Sequence, residues 1–194
     1  MDKKLSAQLA SISKDSKDKT LKVLINAFAD KSFAMLFLFL MASPALPLPT
    51  GGVTHIFEII VMLLSIEIII GRKSIWLPKK WLVLKLPNKF WTRTIPTLIR
   101  LINKLEKITR PRMSGLVINS WFIRIVGVFV FMFSLFAFLA PPFSGLDTLP
   151  SLGVVLLSLG IIFEDLLILV IATIVGAIGI SLVFLLGSLA FQLL

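Results

Sequence analysis

Apolar residues run along this chain in long blocks, broken by short stretches rich in proline, glycine or charge, and the block lengths predict helices. Residues 1–20 are rich in Lys, Asp and Ser, and apolar residues return from Leu21 to Ala29 before Asp30 and Lys31. Ser32 to Ser43 is an apolar block of about 12 residues, or about 18 Å of helix, short of a full bilayer crossing. A Pro/Gly loop follows at 44–53, and Thr54 is placed to cap a helix from His55 to Ile70. That helix stops at Gly71-Arg72-Lys73, a glycine followed by two cations, as helix C-termini favour. Further on, Ile125 to Ala140 is apolar, a second loop spans 141–150, and Ser151 to Phe163 forms a return arm. After Glu164-Asp165 no charge occurs from Leu166 to Leu194, roughly 29 residues that would rise about 43 Å and span a membrane.

Between these blocks the pattern changes. Thr94 to Thr109 has Ile95, Leu98, Ile99, Ile102, Leu105 and Ile108 on one face and Arg100, Asn103, Lys104 and Lys107 mostly on the other. This predicts an amphipathic helix lying in the membrane interface, ended by Pro111. Trp76, Trp81 and Trp91 stand near Lys79 and Lys80, a mixture suited to the lipid–water boundary.

The two loops echo each other. Leu46-Pro47-Leu48-Pro49-Thr50-Gly51-Gly52 is followed about 93 residues later by Ala140-Pro141-Pro142-Phe143-Ser144-Gly145. The stretch Val61-Met62-Leu63-Leu64-Ser65-Ile66-Glu67-Ile68-Ile69 aligns without gaps on Val154-Val155-Leu156-Leu157-Ser158-Leu159-Gly160-Ile161-Ile162. The expected architecture is therefore an all-α integral membrane protein with two repeated helical hairpins, an interfacial amphipathic basic linker and a final transmembrane helix. Its divisions are a tail at 1–30, a first hairpin at 31–71, the linker at 72–114, a second hairpin at 115–165 and the last helix at 166–194. Because the linker is too charged to cross, both hairpins should share one orientation. Their arms either just cross, with loops at the far face, or re-enter with loops at mid-membrane, where irregular backbone is tolerated only against protein or a cavity.

Composition narrows the chemistry. A mean hydropathy of +1.00 with 57% hydrophobic residues makes the bilayer the natural solvent. The chain has no cysteine, no tyrosine and one histidine, which excludes disulfides, thiolate chemistry and most catalytic side-chain sets. Of 20 Lys and Arg, twelve lie between Arg72 and Arg112, with Glu106 as the one acid there. Positive charge beside membrane segments indicates cytoplasmic placement and affinity for anionic lipid headgroups rather than nucleic acid. Arg72, Trp76, Lys79, Lys80, Trp81, Arg100 and Lys104 form this expected headgroup and interface set. Phe33 to Met41 followed by Ala42-Ser43-Pro44-Ala45 has the outline of a cleaved leader, but the charged stretch before it is too long and Pro44 sits beside any cleavage site. A retained membrane segment is expected instead.

Ionisable residues inside apolar blocks need a reason, since each costs about 2.5–3.5 kcal/mol on insertion scales. Glu58 lies one turn past the first loop on the face of His55 and Ser65. It is either a protonatable carboxylate beside a loop cavity or a carboxylate held by a hydrogen bond or at the far interface. Arg124 either pairs with an anionic group or snorkels to the boundary. Asp165 either carries a proton or suits the positive end of the last helix. Asp147 either meets solvent or faces the first loop. Pro49, Gly52, Pro142 and Gly145 complete the candidate substrate or proton site. A His-x-x-Glu pair without further ligands is a poor zinc site, so neither metal nor cofactor is expected. Gly176 and Gly179, with Ala172 and Ser181, give the last helix a small-residue face for close packing or a homo-oligomer.

These motifs resemble those of the ExoD family, bacterial inner-membrane proteins named for exopolysaccharide synthesis. Its P-x-P-x-G loop is matched by Pro47-Leu48-Pro49-Thr50-Gly51, and its G-R-x-x-x-W-L-P by Gly71-Arg72-Lys73-Ser74-Ile75-Trp76-Leu77-Pro78. Its R-P-R is matched by Arg110-Pro111-Arg112, and its second loop is echoed by Pro141-Pro142-Phe143-Ser144-Gly145 and Pro150, with an acid at Asp165. The second loop is one residue longer here and lacks the family's asparagine, Glu67 replaces a usual glutamine, and Leu166 replaces a glycine. The resemblance implies an inner-membrane protein linked to exopolysaccharide production, with no settled biochemical activity and the exopolysaccharide machinery as a candidate partner. The positive flanks lead to the expectation of a multi-pass chain with its basic tail and linker in the cytoplasm. Two functions fit: a transporter or handler of a lipid-linked or anionic intermediate, and a non-transporting scaffold or regulator that recruits synthesis enzymes through the basic linker. An enzyme is disfavoured, because only carboxylate chemistry remains and no paired-acid spacing is visible.

Overall fold

The computed structural model describes residues 32–46, 53–72, 75–76, 90–108, 120–141 and 144–192. The tail at 1–30 and the candidate residues Pro49, Gly52, Lys79, Lys80, Trp81 and Pro142 lie outside the described residues.

Six α-helices appear among the described residues, and no strand. They are α1 (Ser32–Ala42), α2 (Val53–Ile70), α3 (Ile95–Ile108), α4 (Ser120–Leu139), α5 (Thr148–Phe163) and α6 (Leu166–Gln192), with a π-helical turn at Phe90–Thr94 leading into α3. The expected blocks are present with shifted ends. The second helix begins at Val53, so Thr54 lies inside it and is buried rather than capping it. The fifth begins at Thr148, three residues before the expected start, because Pro150 falls in the first turn where its missing N–H costs nothing.

Both returning helices end in the same hydrogen-bonded motif. At the end of α2 the Gly71 N–H donates to Ile68 O at 2.9 Å and the Arg72 N–H to Glu67 O at 2.9 Å, with Gly71 at φ +90°. At the end of α5 the Glu164 N–H donates to Ile161 O at 3.3 Å and the Asp165 N–H to Gly160 O at 3.0 Å, with Glu164 left-handed at φ 55°. This Schellman arrangement satisfies the last carbonyls and reverses the chain within two residues into α6.

Helices α1, α2, α4 and α5 close a four-membered ring in the order α1–α2–α4–α5, and α6 packs along α5 with an edge on α4. Glycines set the register. Gly153 of α5 touches Gly176 of α6, Gly160 faces Leu169, and Gly179 faces Pro150, so α5 and α6 are antiparallel at close approach. Gly127 of α4 faces Ile68 and Ile69 of α2 while Arg124 lies against Gly71, so α2 and α4 are antiparallel too. The start of α2 and the start of α5 therefore lie at the same end of the bundle. Helix α1 is apolar all round and buried from Ala34 to Ala42, as such a helix must be. The outward stripes of α2, α4 and α6 are apolar as well: Ile56, Ile59, Leu63 and Ile66 on α2, Val128 and Met132 on α4, Val170, Ile174 and Ile178 on α6. A bundle built for water carries charge there. Two helices, Ser120–Leu139 and the Leu166–Ser188 stretch of α6, are long and apolar enough to cross a membrane.

Helix α3 departs from the expectation of an apolar face laid into lipid. Ile95, Leu98 and Ile102, with Trp91, are buried in the protein, while Thr97, Arg100, Asn103 and Lys104 are exposed. An amphipathic stripe gains as much from a protein surface as from a headgroup region, and here protein fills it.

Candidate functional site

The loop end of the bundle gathers the polar chemistry. In the second loop the Ser144 hydroxyl donates to Pro141 O at 2.7 Å and accepts from the Leu146 N–H at 3.2 Å, and Gly145 takes φ +72°. The Thr148 N–H donates to Gly145 O and the Ser151 N–H to Asp147 O, which starts α5 and holds Asp147 half-buried. One helix turn into α2, His55 Nδ1 and Glu58 Oε2 share a hydrogen at 2.7 Å. Their spacing of three residues puts them on one face. Glu58 is 0% exposed, whereas the His55 side chain is 27% exposed. The His55 ring stands edge-on to Phe138 of α4, with centroids 5.4 Å apart. Asp147 lies within electrostatic reach of both His55 and Glu58. The second loop thus meets the first turn of α2, and Asp147 faces the first hairpin.

Two buried serines join this layer. Ser134 of α4 and Ser151 of α5 are fully buried, and their hydroxyl oxygens, like Glu58 Oε1, have no hydrogen-bond partner among the described residues. Ser65 and Ser158, by contrast, satisfy themselves on the backbone carbonyls of Met62 and Val154. Sequence gave no cue for Ser134 or Phe138, which look like filler in an uncharged block. The available signal was their spacing of four, which puts Ser134 on the same side of α4 as Phe138, the residue that meets His55.

Arg124 and Asp165 stand at the opposite end. From Glu58 to Gly71 is about 20 Å along α2, and there the Arg124 guanidinium lies over the helix terminus. A Cβ at Gly71 would sit 2.6 Å from Arg124 Nη2, so glycine admits both the positive φ and the overlying cation. A guanidinium at that place complements the negative end of α2. Asp165 is buried and caps α6, its Oδ1 accepting from the Leu167 N–H at 3.0 Å. Glu67, at the same end as Arg72, accepts from the Trp76 N–H at 2.9 Å. The candidate residues thus divide into two groups: His55, Glu58 and Gly145 at the loops, and Arg72, Arg124, Trp76 and Asp165 at the far end. Arg72, Trp76, Arg100 and Lys104 are exposed.

The small-residue face of α6 is occupied within the chain. Gly176 sits against the Phe133 ring, Gly179 against Pro150, and Ala172 is fully buried. Ser181 and Gly187 are exposed.

Comparison with known proteins agrees with the motifs. Residues 5–185 match the family model described as "Exopolysaccharide synthesis, ExoD". The chain is 30% identical to Protein ExoD of Rhizobium meliloti over 152 residues, covering 75% of this chain and 61% of that protein, so it spans about three fifths of that relative's length. It is 24% identical over 160 residues to an uncharacterized protein of Synechocystis sp., covering 80% of this chain and 74% of that one. No solved structure matches the chain. With the family model covering almost the whole bundle, the G-R-x-x-x-W-L-P stop of α2 included, the chain belongs to the ExoD family.

Proposed function

We propose that this protein is a multi-pass membrane handler or transporter of a lipid-linked or anionic intermediate in exopolysaccharide production, with both loops held inside the hydrocarbon slab. The overshoot of α6 carries this reading. Gly179 is level with Pro150 at the start of α5, so the loops lie about 20 Å along α6 from Leu166. Helix α6 continues beyond them for about 12 uncharged residues, or roughly 18 Å. Leu182, Val183, Phe184, Leu185 and Leu186 fall in this stretch. A core of about 30 Å that lies within the length of α6 leaves the loops about 10–18 Å below the far boundary. Irregular backbone at such depth is sustained where it lines a cavity or is packed in protein. Arg72 and Arg124 at the other end offer cations to an anionic group, and the positive flanks in the sequence favour a cytoplasmic side for that end.

Single cysteines at Thr50, Gly52, Ser144 and Asp147, in a chain with no native cysteine, test the placement. A membrane-impermeant thiol reagent applied from outside should leave all four unlabelled in intact cells. Full labelling from outside would make these ordinary crossing hairpins and remove the transport reading.

A second reading, a scaffold that recruits synthesis enzymes, is favoured by one observation: α3 turns its basic face outward while protein fills its apolar stripe. Under it, replacing Arg100 and Lys104 by glutamine should abolish exopolysaccharide output while Glu58→Gln leaves it intact. The handler reading expects the reverse.

A further inference from the structure

Beneath the loops lies a buried polar layer. Gly153 of α5 meets both Phe133 of α4 and Gly176 of α6, and the antiparallel α2–α4 pair is fixed by His55 on Phe138 and by Arg124 over Gly71. At 1.5 Å per residue, this register brings Glu58, Ser134 and Ser151 to heights within about 3 Å of one another. Glu58 follows His55 by three residues and Ser134 precedes Phe138 by four. The two therefore lie on facing sides of the α2–α4 seam, one turn below the His55–Phe138 contact.

All three residues are 0% exposed, and Glu58 Oε1, Ser134 Oγ and Ser151 Oγ have no hydrogen-bond partner among the described residues. Buried oxygens of this kind are costly, a carboxylate most of all, and a group of them calls for a small polar occupant. The layer offers one carboxylate and two hydroxyls, hard oxygen ligands around a single negative charge. An anion would meet the carboxylate at close range. The titratable groups facing Glu58 are His55 on its own helix and Asp147 on the second loop. Helix α4 presents Ser134 and Phe138 there, and α1 contains no ionisable residue.

We propose that Glu58, Ser134 and Ser151 hold a monovalent cation, sodium or a proton, in a pocket directly beneath the loops, with His55 and Asp147 at its mouth. The pocket is distinct from the basic end, about 20 Å away, where an anionic group would bind. It stands on the buried layer and not on the transport reading, and its test requires no transported substrate.

The test is the thermal midpoint of the purified full chain in detergent, for the wild type, Glu58→Gln, Ser134→Ala and Ser151→Ala. One series exchanges sodium for choline at constant ionic strength, and another varies pH at fixed sodium. A sodium site raises the wild-type midpoint by roughly 4 °C or more toward saturation. That rise vanishes in Glu58→Gln and needs about tenfold more sodium in Ser134→Ala. A sodium-induced shift of the chain's one histidine resonance at fixed pH accompanies it. A proton site leaves the midpoint indifferent to sodium but gives a pH slope that Glu58→Gln removes and Ser134→Ala displaces. If Glu58→Gln does not fold, the two serine variants decide by the same criteria. Wild-type indifference to sodium together with a pH slope unchanged in the variants overturns the proposal and leaves a layer filled by water alone.

Discussion

Glu164 holds a left-handed backbone, φ 55° and ψ 38°, at the place in the α5 terminus where α2 has Gly71. A side chain there brings Cβ against the following carbonyl, a strain of roughly 1–2 kcal/mol that glycine escapes. Glu164→Gly should therefore stabilise the protein by about 1 kcal/mol in reversible unfolding. Loss of stability would mean that the carboxylate contributes more than the strain. Gly71→Ala should act the other way, by about 2 kcal/mol, since it meets both the positive φ and the Arg124 guanidinium. Asp165→Ala removes the cap on the Leu167 N–H and should cost about 1 kcal/mol, with Asp165→Asn nearly neutral. An equal loss in both variants would indicate that the charge, rather than the cap, matters. Gly71 was legible as a stop because glycine followed by cations is itself the signal. Glu164 was not, because nothing in its residue type announces a left-handed turn.

At the scale of elements, the α5–α6 pair shows how small residues are spent. Gly153, Gly160, Gly176 and Gly179 let two apolar helices approach until backbone meets backbone or ring. Gly176→Val would drive its side chain into Phe133 and should destabilise by about 2–3 kcal/mol. Gly187→Val, where nothing lies within 4 Å, should change stability by less than about 0.5 kcal/mol. Equal effects in a chemical unfolding series would refute this register. The sequence marked the small-residue face on α6, but choosing between a partner helix of the same chain and a second copy needed the position of α5. The stripe of α3 was likewise legible as a stripe, while its covering was not. Periodicity reports that a face is apolar and carries no information on what lies against it.

At the scale of the whole molecule, the shared end of α2 and α5 and the overshoot of α6 set the expected depth of every site. A nitroxide at Gln192 should sit closer to the headgroups than one at Ser144 by roughly 15 Å along the helix axis. Depth-dependent relaxation in reconstituted bilayers reads this difference, and equal depths would return the loops to the far face. At the shared end of α2 and α5, Asp147 comes within electrostatic reach of His55 and Glu58.

Sequence alone determined the helical blocks, the stop at Gly71, the basic amphipathic linker and the family. Each of these is written within a few neighbouring residues, as block length, capping or local motif. Only the tertiary structure decided that Glu58 and His55 belong with Asp147 and Phe138, and that Arg124 belongs with the end of α2 instead. The reason is degeneracy. Helices apolar on every side have no preferred inward face, so their pairing and register rest on where a glycine leaves room for a ring or a backbone. That fit exists only once two distant segments meet.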